Sequence, residues 1–151
     1  MKLIPEWYEH QYCLIAWPCN IDLYGNFINF ARVEVANVID EIAKTERVIV
    51  LSNEKDVNDV KEKTNSENID IVECKLDDSW MRDMAPIFYS ENKKLKSINF
   101  EFNGYGKYPK YYNDNKVSEF INNYLQISTK VSDLVIEGGA IAYDDKSNLF
   151  T

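Results

Sequence analysis

The chain has 151 residues, with 25 acidic against 17 basic side chains and a formal net charge of -8 at pH 7. That is long enough to bury a real core, and acidic enough to repel a phosphate backbone. No stripe of lysine and arginine interleaved with aromatics is present, so nucleic-acid binding is set aside and a cationic small molecule is the better-tolerated ligand.

No apolar run approaches the roughly 20 residues that span a bilayer, and MKLIPEWYEHQY at the start is too polar for a signal peptide. The three cysteines, Cys13, Cys19 and Cys74, have no zinc-knuckle spacing and read as reduced, buried thiols. A cytoplasmic protein without membrane attachment is expected.

In chain order, QYCLIAWP (11–18) is a short apolar run stopped by Pro18 and reads as a central strand. After a turn around residues 20–26, Ile28, Ala31, Val35, Val38, Ile39 and Ile42 recur at three- and four-residue steps. They predict an amphipathic helix with Arg32, Glu34, Asn37 and Glu41 outside its apolar face. RVIVLS (47–52) is a β-branched run expected to be covered on both faces. DVNDVKEKTN (56–65) reads as a surface helix and IDIVECKL (69–76) as a third strand. This alternation marks an α/β protein.

The second half changes rhythm. APIFYS (85–90) and KLKSINFEFN (94–103) read as a hairpin across ENK. NDNKVSEFINNYLQ (113–126) places Val117, Phe120, Ile121, Tyr124 and Leu125 on one helical face, with Asn113 or Asp114 positioned to cap its start. DLVIEGGAIAY (133–143) and NLFT (148–151) suggest a last hairpin around DDKS. No Pro/Gly/Ser-rich linker divides the chain, so a single domain over residues 1–151 is expected.

DDSWMRDMAPIF (77–88) concentrates charge beside apolar residues. If extended, it turns Asp78, Trp80 and Arg82 one way and Asp77, Ser79, Met81 and Asp83 the other, so Arg82 and Asp83 need separate partners. One reading is structural: Arg82 is neutralised by Asp78 or another acid, and Asp83 caps a backbone turn. The other has Asp83 unpaired and waiting for a planar cation, gripped through two parallel hydrogen bonds while Trp80 covers its face. In IEGGA (136–140), Glu137 is either a solvated acid on a strained turn or a second ligand-facing carboxylate able to move protons. Gly138 and Gly139 beside it signal a bulge or a close backbone approach.

Four blocks in this order, PEWYEHQYCLIAWP, DDSWMRDMAPIF, INFEFNGYGKYP and IEGGAIAYDD, resemble the N-terminal part of the agmatine deiminase and bacterial, Porphyromonas-type peptidylarginine deiminase family. The resemblance implies a pentein, an α/β propeller of ββαβ modules with its active site in the central channel. It also implies hydrolysis of a guanidinium to a ureido group with release of ammonia, needing no metal or organic cofactor. In similar enzymes a cysteine thiolate attacks the guanidinium carbon, a histidine acts as general acid and base, and carboxylates hold the nitrogens. By motif position Asp83 is similar to the carboxylate that grips the substrate, Glu137 to the catalytic glutamate and Trp80 to an aromatic near the pocket. Support of the loop falls to Arg82, Gly138 and Gly139.

The family's Gly-His-x-Asp segment and late nucleophilic cysteine have no counterpart here. His10, the only histidine, lies in the N-terminal block, and none of the three cysteines has a neighbouring base or an electropositive setting. The chain also stops at Thr151 within an apolar run. The expectation is therefore the first part of such an enzyme, inactive alone, with its remaining modules elsewhere or its open strand edges self-associating. A binding module that holds a guanidinium without chemistry is the alternative. Between agmatine and peptidyl-arginine, the acidic balance leans towards the small dication.

Overall fold

The computed structural model describes residues 2–146 and 148–151. In chain order its elements are β1 (Lys2–Leu3), β2 (Tyr12–Ala16), α1 (Ile21–Tyr24), α2 (Ile28–Ile42), β3 (Arg47–Ser52), α3 (Val57–Lys63), β4 (Ile69–Glu73), α4 (Met81–Met84), β5 (Ile87–Glu91), β6 (Lys94–Glu101), α5 (Val117–Tyr124), β7 (Ser128–Val135), β8 (Ala142–Tyr143) and β9 (Leu149–Phe150). They form two compact units: His10–Met81, and Arg82–Thr151 together with the N-terminal segment up to Glu9. No helix among the described residues is long and apolar enough to cross a membrane.

The unit His10–Met81 is a βαβαβ arrangement whose three strands are all parallel, in the order β2-β3-β4. The central strand β3 matches RVIVLS, and everything in it after Arg47 is buried, as a strand covered on both faces must be. Val48 and Val50 pack with Trp17, Ala36, Ile39, Ala43 and Val60 into one apolar core. The periodicity of α2 holds in part. Ala36 and Ile39 are buried, but Val38 is 53% exposed, and Arg32, expected on the outer face, turns inward.

Arg32 is captured from three directions: Nε donates to the Pro18 carbonyl at 2.9 Å, Nη1 to Asp59 at 2.9 Å and Nη2 to Asp56 at 2.8 Å. The Trp17 indole N–H and the Lys63 ammonium also donate to Asp59. Burial pushes the Asp59 carboxyl up, but the hydrogen bonds from Lys63 and Trp17 and the charges of Arg32 and Lys63 outweigh it and hold the group below the usual aspartate range.

The other unit carries a mixed sheet in the order β1-β5-β6-β7. β5 and β6 form the expected hairpin, closed between Glu91 and Lys94 by Asn92 and Lys93, both left-handed at φ 52° and 60°. Two such residues suit the twist of a two-residue hairpin loop. The chain then passes through α5 and returns as β7, parallel to β6. Val117 and Ile121 of α5 are buried as the periodicity requires, whereas Tyr124 is 47% exposed. Buried Asn122, which no apolar pattern marks, accepts from Ser97 Oγ of β6 at 2.7 Å.

β7 begins at Ser128, earlier than DLVIEGGAIAY suggests, because STKVSD is polar and nearly all of its side chains are exposed. Its strand character comes from the backbone ladder to β6. The final hairpin is shorter than expected: Ala142 pairs with Phe150 and Tyr143 with Leu149. Of the DDKS turn, Ser147 lies outside the described residues. Asp144 organises the turn by accepting from the Lys146 and Asn148 amides at 2.9 Å each.

Candidate functional site

The segment around residues 81–84 is a helical turn, which corrects the extended reading of residues 77–83. Met81 and Met84 are its buried residues, and the turn leaves Arg82 exposed and Asp83 half-buried. A helical repeat therefore replaces the alternation that would have turned Arg82 and Asp83 to opposite faces.

Asp83 is not left unpaired. Its Oδ1 accepts from the Gly139 amide at 2.8 Å and its Oδ2 from the Tyr105 hydroxyl at 2.6 Å. The structural reading of this residue, a carboxylate on a backbone turn, is thus part of the answer. Both donors are neutral, however, and among the described residues the ion pairs do not include Asp83. A carboxylate has about four acceptor sites, so one remains on each oxygen.

The partner turn explains the paired glycines. Glu137, half-buried, is extended at φ -81° and ψ 133° ahead of a 3-10 turn over Gly138–Ala140. A Cβ on Gly138 would lie 2.2 Å from the Arg82 carbonyl oxygen, and one on Gly139 would lie 2.3 Å from Asp83 Oδ1. Glycine is required at Gly138 by this backbone approach, and at Gly139 it leaves the Asp83 carboxylate free to take its place, as IEGGA suggested. The same approach brings the Asp83 turn to within two residues of Glu137 along the chain.

Arg82 lies across the far end of this turn. Its Nη2 donates to the Ile141 carbonyl at 3.1 Å and pairs with Glu6 at 2.5 Å. Glu6 is therefore the acid that neutralises it. Both side chains are about half exposed or more, so the pair orients the loop more than it stabilises the fold. Burial pushes the nearby Tyr143 phenol up, while the Arg82 charge opposes that shift.

Trp80 belongs to the unit His10–Met81. Its ring is 43% exposed, and its indole N–H donates to Asp78 Oδ2 at 3.0 Å. Buried Asp78 also accepts from Asn20 Nδ2 at 3.0 Å and from the Ser79 amide at 2.8 Å, which holds the DDSW loop in place.

Two participants escaped the sequence reading, Glu6 and Tyr105. Tyr105 sits in NGYG, where Gly104, Tyr105 and Gly106 are all left-handed at φ 63°, 62° and 63°, and Asn103 Oδ1 accepts from the Gly106 amide at 2.9 Å. The Asn-Gly pattern signals a loop. It does not say which side chain the loop presents, or to what.

The thiols are poorly placed for nucleophilic work. Burial, then the Glu46 charge, pushes the Cys13 thiol up, while Cys19 and Cys74 are buried with their sulfurs 3.7 Å from the carbonyls of Leu76 and Lys75. His10 Nδ1 lies 3.3 Å from Glu46. Among the described residues no group of three His, Cys, Asp or Glu side chains could hold a metal ion.

Hairpin, helix and a strand returning parallel to the hairpin's second strand make β5, β6, α5 and β7 a ββαβ module, the repeating unit of pentein propellers. The chain matches an agmatine deiminase structure from Enterococcus faecalis with a TM-score of 0.89 at 19% identity, covering 95% of this chain and 41% of that one. A C. jejuni agmatine deiminase structure matches with a TM-score of 0.83 at 23% identity, covering 98% of this chain and 44% of that one. The fold is a pentein fold.

The Porphyromonas-type peptidyl-arginine deiminase family matches residues 2–151, and the chain belongs to that family. The agmatine deiminase of Pseudomonas aeruginosa strain LESB58 is 27% identical over 157 residues, spanning 99% of this chain and 43% of its own length. The chain thus spans less than half the length of the relatives it matches.

Proposed function

We propose that this chain supplies the substrate-gripping part of a guanidine deiminase that converts agmatine to N-carbamoylputrescine and ammonia in the cytoplasm. The observation that carries the reading is Asp83: a carboxylate oriented by two neutral donors, with one acceptor site left on each oxygen. Two parallel N–H groups of a guanidinium fit that remainder. In this reading Asp83 holds the substrate nitrogens and Glu137 moves protons. Arg82, Gly138 and Gly139 keep the two acidic turns together.

The whole of residues 1–151 is read as modules of one pentein domain. The nucleophilic cysteine and the acid-base histidine of the family pattern are assigned to the part of the relatives that lies beyond the match. Agmatine is preferred over peptidyl-arginine because a net charge of -8 favours a small dication. The raised Cys13 thiol and the burial of Cys19 and Cys74 favour a second reading for these 151 residues by themselves, binding without turnover.

The test is a titration of the 151-residue chain with agmatine, followed by amide NMR. Binding at or tighter than about 1 mM, about 4 kcal/mol, is expected, with the Gly139 amide shifting. Asp83→Asn abolishes it while the remaining spectrum is preserved. Absence of binding, or undiminished binding to Asp83→Asn, sinks the proposal.

A further inference from the structure

We infer that Tyr105 is a positioning residue that sets the plane of the Asp83 carboxylate and so makes the site prefer a flat guanidinium over an ammonium. The inference rests on the guanidinium reading of Asp83 and adds a determinant of its selectivity.

An aspartate has a rotational freedom that a bidentate grip cannot tolerate. The terminal torsion of Asp is broad, so a carboxylate held by one donor can rotate about its own axis. The Gly139 amide pins Oδ1 at 2.8 Å and leaves that rotation open. A second donor on the other oxygen closes it, and the Tyr105 hydroxyl is that donor, 2.6 Å from Oδ2. With both oxygens fixed, the unused acceptor sites lie in one defined plane. A guanidinium, with its parallel N–H groups, needs that plane, whereas a tetrahedral ammonium needs only the charge.

The loop is built around presenting this hydroxyl. An aromatic residue at φ 62° and ψ 20° is strained by about 1 kcal/mol, and the strain persists only where the surroundings enforce it. Here they do. Gly104 and Gly106 take the same left-handed conformation on either side, and the Asn103 side chain closes the turn onto the Gly106 amide. The Tyr105 ring is clamped edge-on by Phe102 at 5.2 Å and Tyr108 at 6.1 Å between centroids. A side chain fixed at its backbone and at its ring delivers its hydroxyl to one point.

The experiment compares agmatine with 1,5-diaminopentane, a dication of similar reach that carries an ammonium where agmatine carries a guanidinium. Both are titrated into the wild-type chain, Tyr105→Phe and Asp83→Asn by calorimetry, with amide NMR to verify the fold. Tyr105→Phe removes one oxygen and leaves the ring packing. It is expected to weaken agmatine by about 5- to 10-fold, the net size of one ordinary hydrogen bond, while 1,5-diaminopentane changes less than about 2-fold. An unchanged agmatine preference in Tyr105→Phe overturns the inference and leaves the deiminase reading standing. Equal loss of both ligands also overturns it, because that marks a general collapse of the site. A wild-type chain that binds neither ligand overturns both.

Discussion

Two aspartate sites, one in each compact unit, are satisfied in different ways. In His10–Met81, Asp56 and Asp59 close on Arg32, with Lys63 and Trp17 adding donors, so the charges cancel locally and their side chains are mostly buried. In the unit that contains Arg82–Thr151, Asp83 receives an amide and a hydroxyl, and among the described residues no ion pair. The first cluster holds a helix to its neighbours. The second is a carboxylate oriented by two neutral donors from other turns.

The largest test of this contrast is Arg32→Ala. Removing the cation leaves Asp56 and Asp59 facing each other with the Arg32 side chain, 12% exposed, gone. A loss of about 3–5 kcal/mol in urea unfolding is expected, the cost of breaking a buried pair from one side. A loss under about 1 kcal/mol, as for exposed pairs, breaks the comparison.

Gly138→Ala probes the other unit. Its Cβ would meet the Arg82 carbonyl oxygen of the backbone 2.2 Å away, so one turn must move. A destabilisation of about 1–3 kcal/mol is expected, and the Gly139 amide resonance should shift as its hydrogen bond to Asp83 breaks. A spectrum with the Gly139 amide unmoved shows that the two turns are not coupled in this way.

The smallest effect is a pH dependence. The Asp59 carboxyl is held below its ordinary value in the folded chain, so it adds stability that is fully present above about pH 3.9, the unfolded value. That stability is lost as pH falls from there through the depressed folded value. The urea midpoint of the wild type should therefore fall more steeply below about pH 4 than that of Asp59→Asn. Parallel curves count against a depressed carboxyl in this cluster.

Legibility in the sequence followed the range of the interaction. β3 could be read from RVIVLS because a doubly covered strand needs an unbroken apolar run, and the hairpin of β5 and β6 because a polar turn separates two strand-like runs. β7 could be read only in part. Its first half is polar and exposed, and it is a strand because β6 offers it a ladder. Arg32 looked like a surface residue by helical position, since no periodicity reveals two aspartates waiting in another element. The same limit applied to Asp83: the local pattern suggested an extended segment and left open whether its carboxylate capped a backbone turn or stood empty, and it named neither Gly139 nor Tyr105 as a donor.

By itself the sequence determined the α/β class, the order of most elements, the family blocks and the close backbone approach at the paired glycines after Glu137. These rest on local periodicity and on residue types whose backbone preferences act within a few positions. Only the tertiary structure decided which groups meet there. The Gly139 amide lies 56 residues from Asp83 in the chain and the Tyr105 hydroxyl 22, and Glu6 reaches Arg82 from the far N-terminus. A hydrogen bond depends on distance and direction in space, which local pattern does not encode.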